Sequence, residues 1–166
     1  MAQLERAIEL APGLLESYRE AASIHIELQQ PQRARDLLEE SLRRNPYQPE
    51  VLATLGAVYY QFLGDSSRGI DCYRRAIQLD PDNAAVRISL GYAYVGHNEP
   101  DLAREQFQQI LRAAPDAVPA LLAMARLDLQ LQHKPRAIER LRHVLRLEPQ
   151  NQHARSCLQE LGEPLD

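Results

Sequence analysis

The chain has 166 residues, 45% of them hydrophobic and 25% charged, with a formal net charge of −4. Lysines and arginines dispersed among a small excess of acids give no basic stripe for nucleic acid, and no run approaches the ~20 apolar residues of a membrane span. The first residues also lack the basic, apolar and small-residue order of a secretory signal.

In chain order, Ala2 to Ala11 reads as a helix with Leu4, Ala7 and Ile8 on one face, ended by Pro12-Gly13. Leu14 to Pro46 holds two further apolar-periodic runs, the second opening at Pro31, where a missing N–H leaves nothing unpaired. Glu50 to Asn83 repeats the plan: Val51/Leu55/Val58/Tyr59, then a Gly64-Asp65-Ser66-Ser67 break with Asp65 or Ser66 as helix cap, then Ile70/Tyr73/Ala76/Ile77 up to Pro81. Two more such units follow, and Asn151 to Leu161 reads as a single helix stopped by Gly162. The closing prolines Pro12, Pro46, Pro81, Pro115 and Pro149 are spaced by 34, 35, 34 and 34 residues, a repeat-array period. The one odd spacing is an extra residue within Tyr60 to Leu63, expected to lengthen the first helix or loosen its turn.

Leu55-Gly56-x-x-Tyr59 and Leu90-Gly91-x-x-Tyr94, with Gly69/Tyr73/Ala76/Pro81 and Ala103/Phe107/Ile110/Pro115 behind them, resemble the tetratricopeptide repeat over nearly the whole chain. The resemblance implies an all-α fold, a right-handed superhelix of antiparallel helical hairpins (an α-solenoid) with about ten helices. One repeat domain over 1–166 then divides into a partial repeat (2–13, second helix only), repeats at 14–48, 49–83, 84–117 and 118–151, and a C-terminal capping helix (152–166). The half-repeat at the start reads as a cut from a longer protein, the polar-faced last helix as a natural terminus. Leu4 and Ala7, facing an absent first helix, are a candidate self-association patch.

Gly56 and Gly91 fall in mid-helix, where glycine costs ~1 kcal/mol against alanine, so close helix approach is expected there. Ala22 and Ala125 hold the same slot in the other two full repeats. Asp128 takes the slot of Tyr59 and Tyr94, and as a buried charge it calls for a partner such as Tyr94 or an arginine.

No two of His25, His97, His133, His143 and His153 share a helix face, and neither Cys72 nor Cys157 has a partner at zinc-site spacing. Phosphate loops, dinucleotide motifs and a nucleophile elbow are also missing, so the sequence points to no catalytic residue, no cofactor and no metal. Two unpaired thiols more than two repeats apart fit a cytoplasmic setting slightly better than an oxidising one.

The resemblance implies a non-catalytic interaction scaffold that holds a partner peptide or helix in a concave groove lined by first helices. Ala53, Thr54, Ala57, Tyr60, Ile88, Ser89, Tyr92, Leu122, Ala123 and Arg126 are the groove candidates, with Tyr60 and Tyr92 as aromatic anchors and Arg126 for an acidic group. Relatives that grip chaperone tails do so through a basic clamp, and the matching positions, Arg19, Ser23, Thr54, Ala85 and Ser89 in one register, do not build one. The alternative function is the substrate-presenting repeat region of a larger enzyme, such as a protein glycosyltransferase.

Overall fold

A computed structural model of the chain describes residues 15–164. The helix expected over Ala2–Ala11, with Leu4 and Ala7, lies outside them. The described residues are all-helical, of the α-solenoid, tetratricopeptide-like class: α1 Leu15–Glu27, α2 Pro31–Arg44, α3 Pro49–Ala57, α4 Ser66–Leu79, α5 Ala84–Gly96, α6 Pro100–Ala113, α7 Val118–Gln130, α8 Lys134–Leu147 and α9 Gln152–Glu160. They form two compact units, Met1–Ser89 and Leu90–Asp166, whose boundary falls inside α5.

Proline sits in the first turn of α2, α3, α6, α7 and α8, where its fixed φ suits the helix and its missing N–H costs no bond. The starts of α4, α5 and α9 carry side-chain acceptors: Asp65 takes the Arg68 N–H, Asn83 that of Val86 and Asn151 that of Ala154, at 3.0, 3.1 and 3.0 Å. Asp65 is thus the cap of α4, rather than Ser66.

Each first helix ends in one motif. The N–H groups of Gln30, Glu99 and His133 donate to the carbonyls of His25, Tyr94 and Asp128 at 2.8, 2.9 and 2.7 Å, six-residue closures, and that of Asp65 donates to the Tyr59 carbonyl at 2.9 Å in a seven-residue closure, each following a left-handed residue. That residue is Gly64 in one hairpin, at φ 69, but Gln29, Asn98 and Gln132 in the others, at φ 57, 61 and 62. The extra residue between Tyr60 and Leu63 is absorbed within this closure, which there is one residue longer than in the other hairpins. Val58–Phe62 is a π-helical turn in which the Leu63 N–H reaches back five residues to the Val58 carbonyl at 3.1 Å, and the donor that closes the hairpin onto Tyr59 comes one residue later than in the others.

In the first unit, Ala22, Leu38, Val51, Leu55 and Val58 form an apolar core, and in the second Leu121, Ala125, Leu141, Val144 and Leu158 do so. The mid-helix glycines admit close neighbours: a Cβ on Gly56 would lie 2.9 Å from the Tyr73 ring, and one on Gly91 only 2.2 Å from Phe107 Cε1.

Candidate functional site

The groove candidates fall in both units. In the first, Ala53, Thr54 and Ala57 of α3, Tyr60 of the π turn, and Ile88 and Ser89 of α5 are all half-buried. Thr54 and Ser89 turn their hydroxyls onto their own helices, donating to the Glu50 and Ala85 carbonyls at 2.9 and 3.1 Å. Between α1 and α3 an open cleft of about 460 Å³ is lined by Arg19, Glu20, Ser23, Ile24 and Thr54.

In the second unit, Tyr92 and Arg126 come together. The Arg126 guanidinium stands 5.5 Å from the Tyr92 ring centroid, and that ring packs edge-on against buried Phe107 at 5.6 Å and 63°. Arg126 is exposed and has no carboxylate partner within ion-pair distance among the described residues. Leu122 packs partly on the core of its unit. Ala123 does not line a surface: it is fully buried, because small residues on a first helix let its neighbours approach from that side.

A polar slot emerges at the last turn of the first helices. His25, Tyr59, Tyr94 and Asp128 occupy it, all largely buried. His25 Nδ1 meets Gln30 Oε1 at 2.9 Å. The Tyr59 hydroxyl donates to Glu39 in a short bond and accepts from Arg68 at 3.4 Å, while burial, followed by that carboxylate, pushes its phenol pKa up. Asp128, as a buried charge requires, pairs with an arginine: Arg140 Nη1 donates to Oδ2 at 2.5 Å, and His133 Nδ1 stands 3.7 Å from Oδ1.

Two features were missed in the sequence. His153 and Cys157, one turn apart on α9, bring Nε2 and Sγ to 3.9 Å, with no third metal-binding group beside them among the described residues. Burial pushes the Cys72 thiol up to about 11 and raises that of the more open Cys157 less far. Since the thiolate is the reactive form, a chromogenic disulfide reagent at pH 8 is expected to titrate Cys157 first and Cys72 only on unfolding. Equal rates for both in the folded protein would contradict this.

The second is a pair of clefts on the second-helix side. One, of about 460 Å³, is walled by Glu39, Leu42 and Arg43 of α2, floored by Leu55 and Tyr59, and closed by Arg68, Asp71, Cys72 and Arg75 of α4. The other, of about 310 Å³, lies between α8 and α9 and is lined by Arg142, Leu145, Arg146, Arg155 and Leu158 with Pro149, Gln150 and Pro164. Aligning the repeats would have exposed the charge difference between them.

A model of the tetratricopeptide repeat matches residues 54–118. Over that stretch the chain carries the tetratricopeptide repeat. It is 38% identical over 82 residues to the Protein CTR9 homolog of Arabidopsis thaliana, covering 48% of this chain and 8% of that protein. It is 26% identical over 119 residues to the human Protein O-mannosyl-transferase TMTC1, covering 70% of this chain and 14% of that protein. The chain therefore spans a small part of the length of these relatives. Among solved structures, YrrB, described as a tetratricopeptide-repeat protein with an unusual peptide-binding site, superposes with a TM-score of 0.78 at 20% identity, covering 95% of this chain and 81% of that one. Repeats of this family form protein-interaction scaffolds.

Proposed function

We propose that this chain is a non-catalytic module that binds an extended peptide or amphipathic helix of a partner protein along its first-helix face. The observation that carries it is the Tyr92–Arg126 pair. An exposed guanidinium is laid over an aromatic ring that Phe107 holds in place, so a charge without a carboxylate partner is presented on a rigid apolar support. A partner carboxylate there gains a charge-assisted bond, and an apolar side chain beside it gains contact with the ring edge. In the first unit, considered by itself, the cleft beside Ile24 carries Arg19 and Glu20, polar groups suited to the backbone of a bound segment. The peptide-binding site described for YrrB supports the same use of the fold.

The test uses a partner identified by cross-linking to this protein and then purified. Arg126→Ala and Tyr92→Ala, each checked for native circular dichroism, are expected to weaken its binding in calorimetry by about 2 kcal/mol, close to thirtyfold. Unchanged affinity in both folded variants would sink the reading. A second reading, the substrate-presenting region of a larger enzyme, draws support from the similarity to the O-mannosyl-transferase. The mass of the polypeptide that carries these repeats in its source separates the two, since only the second requires a catalytic domain on the same chain.

A further inference from the structure

Three departures from the repeat gather on the α2–α4 cleft. Counted from the small residue that each second helix buries, Ala34, Gly69, Ala103 or Ala137, the third position on is Leu37, Cys72, Gln106 and Arg140. In the second unit a long side chain fills that position: Arg140 runs to Asp128, which holds the slot of Tyr59. In the first unit the short Cys72 leaves the corresponding space at Tyr59 open, as part of the cleft of about 460 Å³. Gly69 and the π turn belong together. The turn carries Tyr60 so close to α4 that a Cβ on Gly69 would stand 3.0 Å from that of Tyr60, whereas the other second helices take alanine there. Single π turns are frequent at functional sites, and breaks in a chain's own local rules are expected where function demands them.

At one end of the cleft the polar groups satisfy one another. The Tyr59 hydroxyl joins Glu39 to Arg68, whose guanidinium lies 5.4 Å from the Tyr59 ring centroid and whose Nε stands 3.2 Å from Asp65. Towards the other end, Arg43 stands one turn beyond Glu39 on α2, and Arg75 two turns beyond Arg68 on α4, so the two line the cleft from facing walls. Arg43 gives Nε and Nη2 to Glu40 and keeps Nη1. Arg75 is exposed and has no carboxylate within ion-pair distance among the described residues. Asp71 opposes an anion at this end, but it lies between Arg68 and Arg75 along α4, one turn from each, and both cations offset it. Leu42, Leu55 and Cys72 floor the space between.

We infer that the α2–α4 cleft binds a small organic anion, an aromatic or branched apolar body that carries one acid group. The body would cover Leu42, Leu55, Cys72 and the Tyr59 ring, and the acid group would accept hydrogen bonds from Arg43 and Arg75. A volume of about 460 Å³ lies within the range of small-molecule sites. A partner helix fits less well, because the floor is one compact patch and not a row of anchor sites along a helix face. All the walls belong to the first unit, and the site is separate from the first-helix face proposed above and does not depend on it.

The probes are 8-anilinonaphthalene-1-sulfonate and its neutral analogue N-phenyl-1-naphthylamine, each titrated with the intact chain and read by fluorescence. Saturable binding of the sulfonate is expected, at least about fivefold tighter than that of the neutral analogue. Arg75→Gln should weaken the sulfonate at least about fivefold and leave the neutral analogue unchanged, since it removes only a charge, at an exposed position. Cys72→Leu, which puts a side chain of the size of Leu37 into the cleft, should weaken both probes at least about fivefold. Both variants are checked for fold by circular dichroism. Arg126→Ala is expected to leave binding unchanged. Absence of saturable binding, equal affinity for the two probes, or indifference of the sulfonate to Arg75→Gln would overturn the inference, as would indifference to a folded Cys72→Leu. Loss of binding in Arg126→Ala would also overturn it, while placing the probe on the first-helix face.

Discussion

Replacing Arg140 with methionine is expected to destabilise the protein by about 2 to 4 kcal/mol, read from denaturant unfolding, because it leaves the Asp128 carboxylate buried without its main counter-charge. The figure falls below that for a fully buried pair because the Arg140 side chain is 25% exposed and water screens part of the interaction. His133, 3.7 Å from the other carboxylate oxygen and half-exposed, offers only partial compensation. The opposite single change, Asp128→Leu, is expected to cost much less, since it leaves an arginine that can turn into solvent along its own stem. Combining Asp128→Leu with Arg140→Met should recover most of the loss, because an apolar pair of similar volume satisfies a buried site without desolvating two charges. Additive losses in the double variant would mean that the ion pair is not what couples these positions.

The repeat plan was legible in the sequence because helical hairpins write themselves twice, once in apolar spacing and once in punctuation. Pro31 and Pro100 open second helices as their missing N–H groups suggest, and Gly162 closes α9 with its N–H on the Gln159 carbonyl and that of Glu163 on Leu158. The need of Asp128 for a partner was also legible, since a buried charge demands one, but choosing Arg140 required knowing which residues of α8 face the end of α7. The extra residue near Tyr60 was visible as a single long interval between prolines. Its absorption as a π turn was not, because α and π turns differ by one step of hydrogen bonding and leave the same apolar pattern. Ala123 shows why the first-helix face was harder to read: alanine serves equally to line a groove and to let a neighbour pack close, and here it packs. Tyr92 and Arg126 are adjacent in space yet on different helices, so their pairing belonged to the fold rather than to either segment.

Gly91→Ala should destabilise the protein although it installs a better helix former. In an open helix the change would gain about 1 kcal/mol. At this position the new Cβ would lie 2.2, 2.6 and 2.9 Å from three ring carbons of Phe107, and that ring is fully buried and held edge-on by Tyr92. With no room to swing aside, the ring must push α5 and α6 apart, and overpacking of this kind costs roughly 1–3 kcal/mol, enough to outweigh the helix gain. Gly56→Ala is the internal comparison. Its Cβ would meet two carbons of the buried Tyr73 ring at 2.9 Å and the Gly69 carbonyl at 3.2 Å, a milder overlap than at Gly91, so the propensity gain should offset more of the contact cost and leave a net loss smaller than that of Gly91→Ala. The decisive measurement is a double-mutant cycle of Gly91→Ala with Phe107→Leu. A shorter side chain at 107 removes the colliding ring carbons, so alanine at 91 should then be neutral or stabilising, with a coupling of about 1 kcal/mol or more. If Gly91→Ala proved stabilising in the wild-type background, or if the two changes simply added, the close approach of α5 and α6 would not be the reason for glycine at this slot.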